Sequence, residues 1–341
     1  MLASQGMITI SDASSVGEAR RRVRQFSEEV SLNESDSEKA AIIAVELATN
    51  LVRYTKGGEI LLGSGSNGLK RWVDIMSVDR GPGMHDSARC LQDGHSTGGG
   101  CGTGLGAVSR LSTEFDIYSA APSGTVVFSR VVDEQANGLS PPTFTWGVVA
   151  RPAPHEDLCG DSWRVAERSG ELAIMLADGL GHGPEAARAA EEATAAFDGD
   201  PFASTTSIID RANLRMRGTR GGAVAAARIE APKRLMKYTG VGNISGYLHS
   251  CNGENGRGLF SHNGTVGHQM RKVQEFEYPC ADQSLLVMHS DGLQSRWSLD
   301  LYPGLLHRHP AVVAGILYRD FTRGRDDVTV AVVRASLAQV A

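Results

Sequence analysis

A two-domain protein of the α/β (α+β) class is what the sequence predicts, and three observations predict it. The 341 residues exceed what one core usually supports, and 41% apolar residues supply material for two. Apolar spacing switches between helical and strand periods along the chain, without a regular strand-helix-strand alternation. Between residues 134 and 143 the stretch EQANGLSPPT loses periodicity and carries Gly and Pro-Pro. It reads as a linker between a domain over 1–133 and a second over 144–341.

The elements follow in order. After a short strand-like MITI, the segment from Ser15 to Val30 places Val16, Ala19, Val23, Phe26 and Val30 at helical spacing. SDSE (Ser35 to Glu38) has the form of a capping box and predicts a helix from Ser37 to Tyr54. EILLGSG and RWVDIMSV read as strands joined through SNG, and STEFDIYSA and GTVVFSRVV as two more. Beyond the linker come strand-like FTWGVVAR and ELAIMLAD, a helical GPEAARAAEEATAAF, and strands GAVAAARI, RLMKYTGVG, SLLVMHSD and VTVAVVRA. Strand groups with helices inserted between them suit a layered sandwich.

Charge and cysteine usage narrow the function classes. A formal net charge of -5 argues against nucleic acid as the main partner, because phosphate binding leans on clustered Lys and Arg. The basic run ARRRVR (Ala19 to Arg24) lies in an amphipathic helical pattern and reads as a solvated face. Five scattered cysteines form no CxxC pair, as expected of reduced thiols. No window approaches the roughly 20 apolar residues of a membrane span, so a soluble, cytoplasmic protein is expected.

Two groups of residues carry chemistry. In the first, AVELATN (Ala44 to Asn50) sets Glu46 and Asn50 one helical turn apart. Arg53, seven positions on, returns to within about 20° of Glu46 on the same face. A carboxylate, a neutral amide and a cation in that order suit a general base, a Mg²⁺-coordinating oxygen and a phosphate contact. Two glycine-rich loops follow. In DRGPGM, Asp79 ends an apolar strand and can accept a hydrogen bond from an exocyclic amine such as that of adenine, while Gly81 and Gly83 leave room for a flat base. In TGGGCGTGLGAV a glycine run that includes Gly102 and Gly104 leads into a helix, whose first N–H groups can face phosphates.

The second group is a set of acidic residues at strand ends: Asp161 in CGDSW, Asp178 in IMLADG, Asp291 in LVMHSDG and Asp326 in RDDVTVAVV. An Asp-Gly at a strand end offers a carboxylate and an unhindered carbonyl, and hard divalent cations take both kinds of oxygen. Asp327, next to Asp326, is expected to point to the other face.

Helix ExxxN, then DxGPG, then GxGLG, then Gly124-Thr125 before the last strand, resembles the GHKL (Bergerat) ATPases. ELATN, DRGPGM, DGHSTGGG and EFDIYSAAPSGT are most similar to the RsbT-type switch kinases, relatives of the RsbW and SpoIIAB anti-sigma kinases. The resemblance implies an N-terminal α/β sandwich that binds ATP with Mg²⁺. Glu46 would be the base that activates a protein hydroxyl, Asn50 the Mg²⁺ ligand and Asp79 the adenine reader, with Gly81, Gly83, Gly102, Gly104 and Thr125 lining the nucleotide. The lid stretch STGGGCGTG lacks the arginine that some anti-sigma kinases carry.

GDS, ADGLGHG, GVGN, SDG and the closing RDDVTVAVVR resemble the SpoIIE/RsbX branch of the PP2C-type phosphatases. That resemblance implies an αββα sandwich holding two Mn²⁺ or Mg²⁺ through Asp178, the Gly179 carbonyl, Asp291 and Asp326, with Asp161 at or just outside the inner set of ligands. Asp178 and Asp291 are thereby the catalytic centre, His182 is a candidate proton donor, and Arg151 holds the position nearest to a phosphate-binding arginine. Together the resemblances imply a bifunctional switch that phosphorylates and dephosphorylates STAS-domain proteins of the anti-sigma antagonist or stressosome type. The alternative is a phosphatase alone, with the first domain a nucleotide-dependent docking or anti-sigma module.

Overall fold

The computed structural model describes residues 2–67, 70–84, 86, 104–133, 142–250 and 256–337. The chain divides into two compact units, Leu2–Ser140 and Pro141–Ala341. Residues 134–141 of the expected linker, and Gly102 with most of the expected lid, lie outside the described residues.

The first unit is one antiparallel sheet covered by helices. Strands β1 (Leu2–Ile10), β2 (Gly58–Ser66), β3 (Arg71–Val78), β4 (Glu114–Ser119) and β5 (Thr125–Val132) lie in the order β1-β2-β3-β5-β4. Helices α1 (Ala13–Glu29) and α2 (Glu34–Tyr54) bury Val23, Phe26, Ile43, Leu47 and Leu51 against Ile8, Ile60, Val73 and Ile75. Each such side chain contributes roughly 1.5–3 kcal/mol when fully buried. Burial of that stripe leaves Glu46 and Asn50 half-buried along its edge and Arg53 exposed beyond them. A short helix α3 (Gly104–Leu111) seals the end of the sheet through Val108.

The start of α2 differs from the expected one. The helix opens at Glu34, three residues before Ser37, because Asn33 is the cap: its side chain accepts the Asp36 N–H at 2.9 Å. The Asp36 carboxylate is buried and paired with Lys39 at 2.9 Å, so SDSE is already inside the helix. A capping box is present at α1 instead, where Asp12 and Ser15 cap each other's backbone N–H groups.

The second unit is a four-layered αββα sandwich. One sheet contains β7 (Asp161–Arg168), β8 (Glu171–Gly179), β9 (Gly222–Glu230), β10 (Leu235–Val241) and β13 (Ser261–His262), with β14 (Phe276–Pro279) also on β10. The other contains β6 (Phe144–Arg151), β11 (Ser245–His249), β12 (Arg257–Gly258), β15 (Ser284–His289) and β16 (Val328–Ala335), in the order β12-β11-β15-β16-β6. Helices α4 (Pro184–Gly199) and α5 (Thr205–Arg215) cover the first sheet, and α6 (Pro310–Phe321) covers the second.

Strand β8 shows why its apolar run is continuous. Ala173, Met175 and Ala177 meet α4 and α5, while Leu172, Ile174 and Leu176 are buried on the other side. Between the sheets, the rings of Trp146 and Trp163 meet edge to face at 5.8 Å. Among the described residues no helix is long and apolar enough to cross a membrane.

Candidate functional site

In the first unit, α2 and α3 meet where the sequence places its base and amide. A β-carbon on Gly104 would stand 2.8 Å from Glu46 Oε2 and 3.8 Å from Asn50 Oδ1. Glycine lets α3 begin directly above that pair without displacing the Glu46 carboxylate. Asp79 follows β3 and is buried, and its Oδ1 accepts the Gly81 N–H at 2.7 Å and the Thr125 N–H at 3.3 Å. Those bonds fix the carboxylate at the end of the sheet. Thr125 is itself buried with its hydroxyl 2.8 Å from that of Ser119. Gly83 has φ +68°, and a β-carbon there would meet the Ala120 carbonyl at 2.6 Å. The structure thus gathers Glu46, Asn50 and Gly104 at one point, and Asp79, Gly81 and Thr125 at another.

In the second unit, the sandwich gathers the acidic residues from both sheets. Asp161 and Asp178 are direct cross-strand partners on β7 and β8. Like charges in that position oppose folding unless something neutralises them. β15 ends and β16 begins side by side, so Asp291 and the pair Asp326-Asp327 come from adjacent segments. Ser290 ties the sheets together: its hydroxyl donates to Asp161 Oδ2 at 2.7 Å and accepts the Thr329 N–H at 2.9 Å. Asn243 donates to Asp291 Oδ2 at 2.6 Å and sets that carboxylate's direction.

Close backbone approach explains the glycine after Asp178. A β-carbon on Gly179 would collide with the Ala186 carbonyl at the start of α4, while the Gly179 N–H donates to Gly160 at 3.0 Å. We expect Gly179→Ala to cost roughly 1–3 kcal/mol as an overpacked site. Chemical denaturation of the variant checks this, and unchanged stability would show that α4 can shift without penalty.

Two oxygens point to what the cluster lacks. Asp161 Oδ1 and Asp327 Oδ2 are buried with no hydrogen-bond partner, a costly state for a carboxylate that a cation would relieve. Among the described residues no three His, Cys, Asp or Glu side chains close into a ready-made cage. Such an open donor set fits a hard divalent cation, which completes its shell with carbonyl oxygen and water.

The electrostatics agree. Burial, reinforced by Asp161, Asp291, Asp326 and Asp327, pushes the Asp178 carboxyl up to about 9. Burial likewise raises Asp161 to about 7, against the hydrogen bond from Ser290. Burial and Asp326 raise Asp291, while Arg323 and Arg325 act on it in the opposite sense. A carboxyl whose pKa rises on folding weakens the fold once the pH passes its unfolded value, and the loss grows until the raised value is reached. Without divalent cations the melting temperature should therefore fall as the pH rises from about 4 to about 9, by roughly 10 °C over that window. Adding Mn²⁺ or Mg²⁺ should flatten the profile. Melting curves in chelator with and without added cation check this, and a flat profile in chelator would contradict it.

Asp327 departs from the expected orientation. Asp326 and Asp327 lie in the loop before β16, where strand alternation does not apply. Asp327 is buried, accepts the Ala153 N–H at 2.9 Å through Oδ1, and acts electrostatically on both Asp161 and Asp178. Asp326 accepts the Asp327 N–H at 3.0 Å. His182 is exposed and held by Glu156, with Nδ1 2.6 Å from Oε1. Arg151 lies over the Tyr318 ring at 6.0 Å and pairs with Val328 in the sheet. Ser290 was visible as the first residue of SDG and Asn243 within GVGN, whereas Glu156 carried no sequence signal beyond its proximity to GDS.

Comparison with known proteins agrees with this geometry unit by unit. The histidine kinase-like ATPase domain family matches residues 10–130, and the stage II sporulation protein E (SpoIIE) family matches residues 168–336. Serine/threonine-protein kinase RsbT of Bacillus subtilis (strain 168) is 34% identical over 109 residues, 32% of this chain and 82% of RsbT. Phosphoserine phosphatase RsbX of the same organism is 32% identical over 145 residues, 40% of this chain and 69% of RsbX. A structure described as the bacterial stressosome, a modular system adapted to control secondary messenger signaling, matches with TM-score 0.53 and 28% identity, over 57% of this chain and 100% of that one. RsbX crystallised with magnesium shares the fold at TM-score 0.51 and 24% identity, over 58% of this chain and 98% of its own. The chain therefore belongs to two families at once, with an RsbT-like histidine kinase-type ATPase domain followed by a SpoIIE/RsbX-like PP2C phosphatase domain.

Proposed function

We propose that the chain is a cytoplasmic, bifunctional switch regulator that adds phosphate to, and removes it from, a Ser or Thr of a STAS-domain anti-sigma antagonist or stressosome-type protein. The observation that carries the proposal is that the described residues of one chain bring together the central members of both constellations. Glu46 and Asn50 meet beneath Gly104, and Asp161, Asp178, Asp291, Asp326 and Asp327 converge from two sheets.

In the phosphatase unit, Asp178, Asp291, Asp326, the Gly179 carbonyl and Asp161 would hold two Mn²⁺ or Mg²⁺. Bound divalent cations polarise phosphoryl oxygens and lower the pKa of water, so the residues need not supply a covalent nucleophile. Ser290 and Asn243 position Asp161 and Asp291. His182, whose ring Glu156 holds, would hand a proton to the departing Ser or Thr oxygen. In the kinase unit, Asn50 would hold the Mg²⁺ of ATP through its amide oxygen, Asp79 with Gly81, Gly83 and Thr125 would hold the adenine, and Glu46 would take the proton of the protein hydroxyl as that oxygen accepts the phosphoryl group. Gly102, the remaining proposed nucleotide contact, belongs to the same reading of the lid.

A second reading is favoured by one sequence feature: the stretch from Ser96 to Gly104 holds no arginine to balance charge on a transferring phosphoryl group. There the first unit only docks a partner in a nucleotide-dependent way, and the second alone is catalytic. Incubating the chain and Mn²⁺ with a STAS-domain protein phosphorylated beforehand should remove one phosphoryl mass from it. Persistence of that mass, with the fold intact, would contradict both readings.

A further inference from the structure

Arg296, Arg323 and Arg325 surround an open depression of about 430 Å³, completed by Gln294 and Ser295. No apolar residue lines it. The loops that form it are stitched together. Leu293 and Thr322 make an antiparallel bridge, the Gln294 N–H donates to the Phe321 carbonyl at 2.9 Å, and the Arg323 N–H donates to the Gly292 carbonyl at 2.8 Å. Arg323 Nε also donates to the Leu293 carbonyl at 3.4 Å. The depression is thus a fixed extension of the two segments that carry Asp291 and Asp326, and Arg325 directly precedes Asp326.

All three arginines are exposed, and among the described residues none makes an ion pair. Three clustered guanidinium groups repel one another and lower their energy when an anion bridges them. Their planar donor forks match carboxylates bidentately. In a chain of net charge -5, this group stands beside the most acidic site of the second unit.

We propose that this pocket receives acidic side chains flanking the phosphorylated Ser or Thr of the protein substrate, a proposal that rests on reading the second unit as a phosphoprotein phosphatase. The phosphate itself belongs over the aspartates. The pocket lies next to them along both loops, so its occupant is a second anionic group within a few residues of the phosphosite, at about 3.3 Å per residue of extended chain. The five lining residues are all polar or charged, so an acidic side chain finds charge-assisted partners there that an apolar one cannot use.

The test uses two synthetic phosphoserine peptides that differ only in flanks of Asp and Glu or of Asn and Gln. With the full chain and Mn²⁺, KM for the acidic peptide should be about ten-fold lower, the effect of one or two charge-assisted contacts. Arg296→Gln combined with Arg323→Gln should reduce that ratio to about one. Fluorescence anisotropy of the labelled acidic peptide on Asp178→Asn protein provides a reading independent of turnover, and the two arginine substitutions should weaken binding by a similar factor. Equal KM values for the two peptides with wild type, or a ratio and an affinity that survive both substitutions, would overturn the pocket. Hydrolysis of p-nitrophenyl phosphate by the wild type separates the premises: if it is absent, the phosphatase reading fails, and anisotropy alone still decides whether the arginines bind the acidic peptide.

Discussion

Replacing Asp178 by asparagine is expected to reduce phosphate release by roughly a thousand-fold or more, because on the proposed function it removes a ligand of the cations that activate water. The same substitution should stabilise the metal-free protein at pH 8. Asp178 faces Asp161 across β7 and β8, and burial with four neighbouring aspartates raises its carboxyl to about 9. An amide of the same shape keeps the packing and removes the repulsion. A variant that melts higher in chelator yet gains nothing from Mn²⁺ is a signature that simple misfolding cannot produce. Melting curves beside phosphate-release rates check both halves, and an active variant would remove Asp178 from the centre.

Glu46→Gln is the second large effect. It should slow phosphate transfer to the partner by roughly 10²–10⁴-fold, the range for loss of a general base. Glu46 is half-buried along the edge of the stripe on α2, and the buried Ile43, Leu47 and Leu51 are untouched by the change. ATP binding should accordingly survive, since Asp79 and the Gly81 and Thr125 N–H groups that orient it lie elsewhere. Transfer measured with radiolabelled ATP, alongside nucleotide affinity, checks the separation. Equal transfer by Glu46→Gln and wild type would move the first unit to the docking role.

Much of this architecture was legible because its signals are local. Predominantly apolar runs are cut by Asp-Arg-Gly at Asp79 and by Asp-Gly at Asp178 and Asp291, and β3, β8 and β15 end within two residues of those aspartates. The Glu46–Asn50 face follows from helical geometry alone. What escaped depends on tertiary context. Helix α6 is buried on nearly every side, so PAVVAGILYRDF has no polar face to betray its period. Helix α5, TTSIIDRANLR, has β-branched and short polar residues that favour other conformations, and packing on β9 and β10 overrides them. The start of α2 shifted because the Asn33 side chain caps the Asp36 N–H, which draws SDSE inside the helix. Asp327 looked like a residue of β16 facing away, yet it lies one residue before the strand, where the Ala153 N–H holds it. Its contacts come from residues far away in sequence.

The measurement that tests the central claim most directly is the intact mass of a purified STAS-domain partner after incubation with Mg-ATP, Mn²⁺ and each of four proteins: wild type, Asp178→Asn, Glu46→Gln and the double variant. Two opposed activities in one chain predict that one phosphoryl group accumulates on the partner only with Asp178→Asn, stays low with wild type, and is absent with the double variant. No added mass with Asp178→Asn, in a protein that binds ATP and folds normally, would contradict the kinase half and leave the chain a phosphatase with a docking domain.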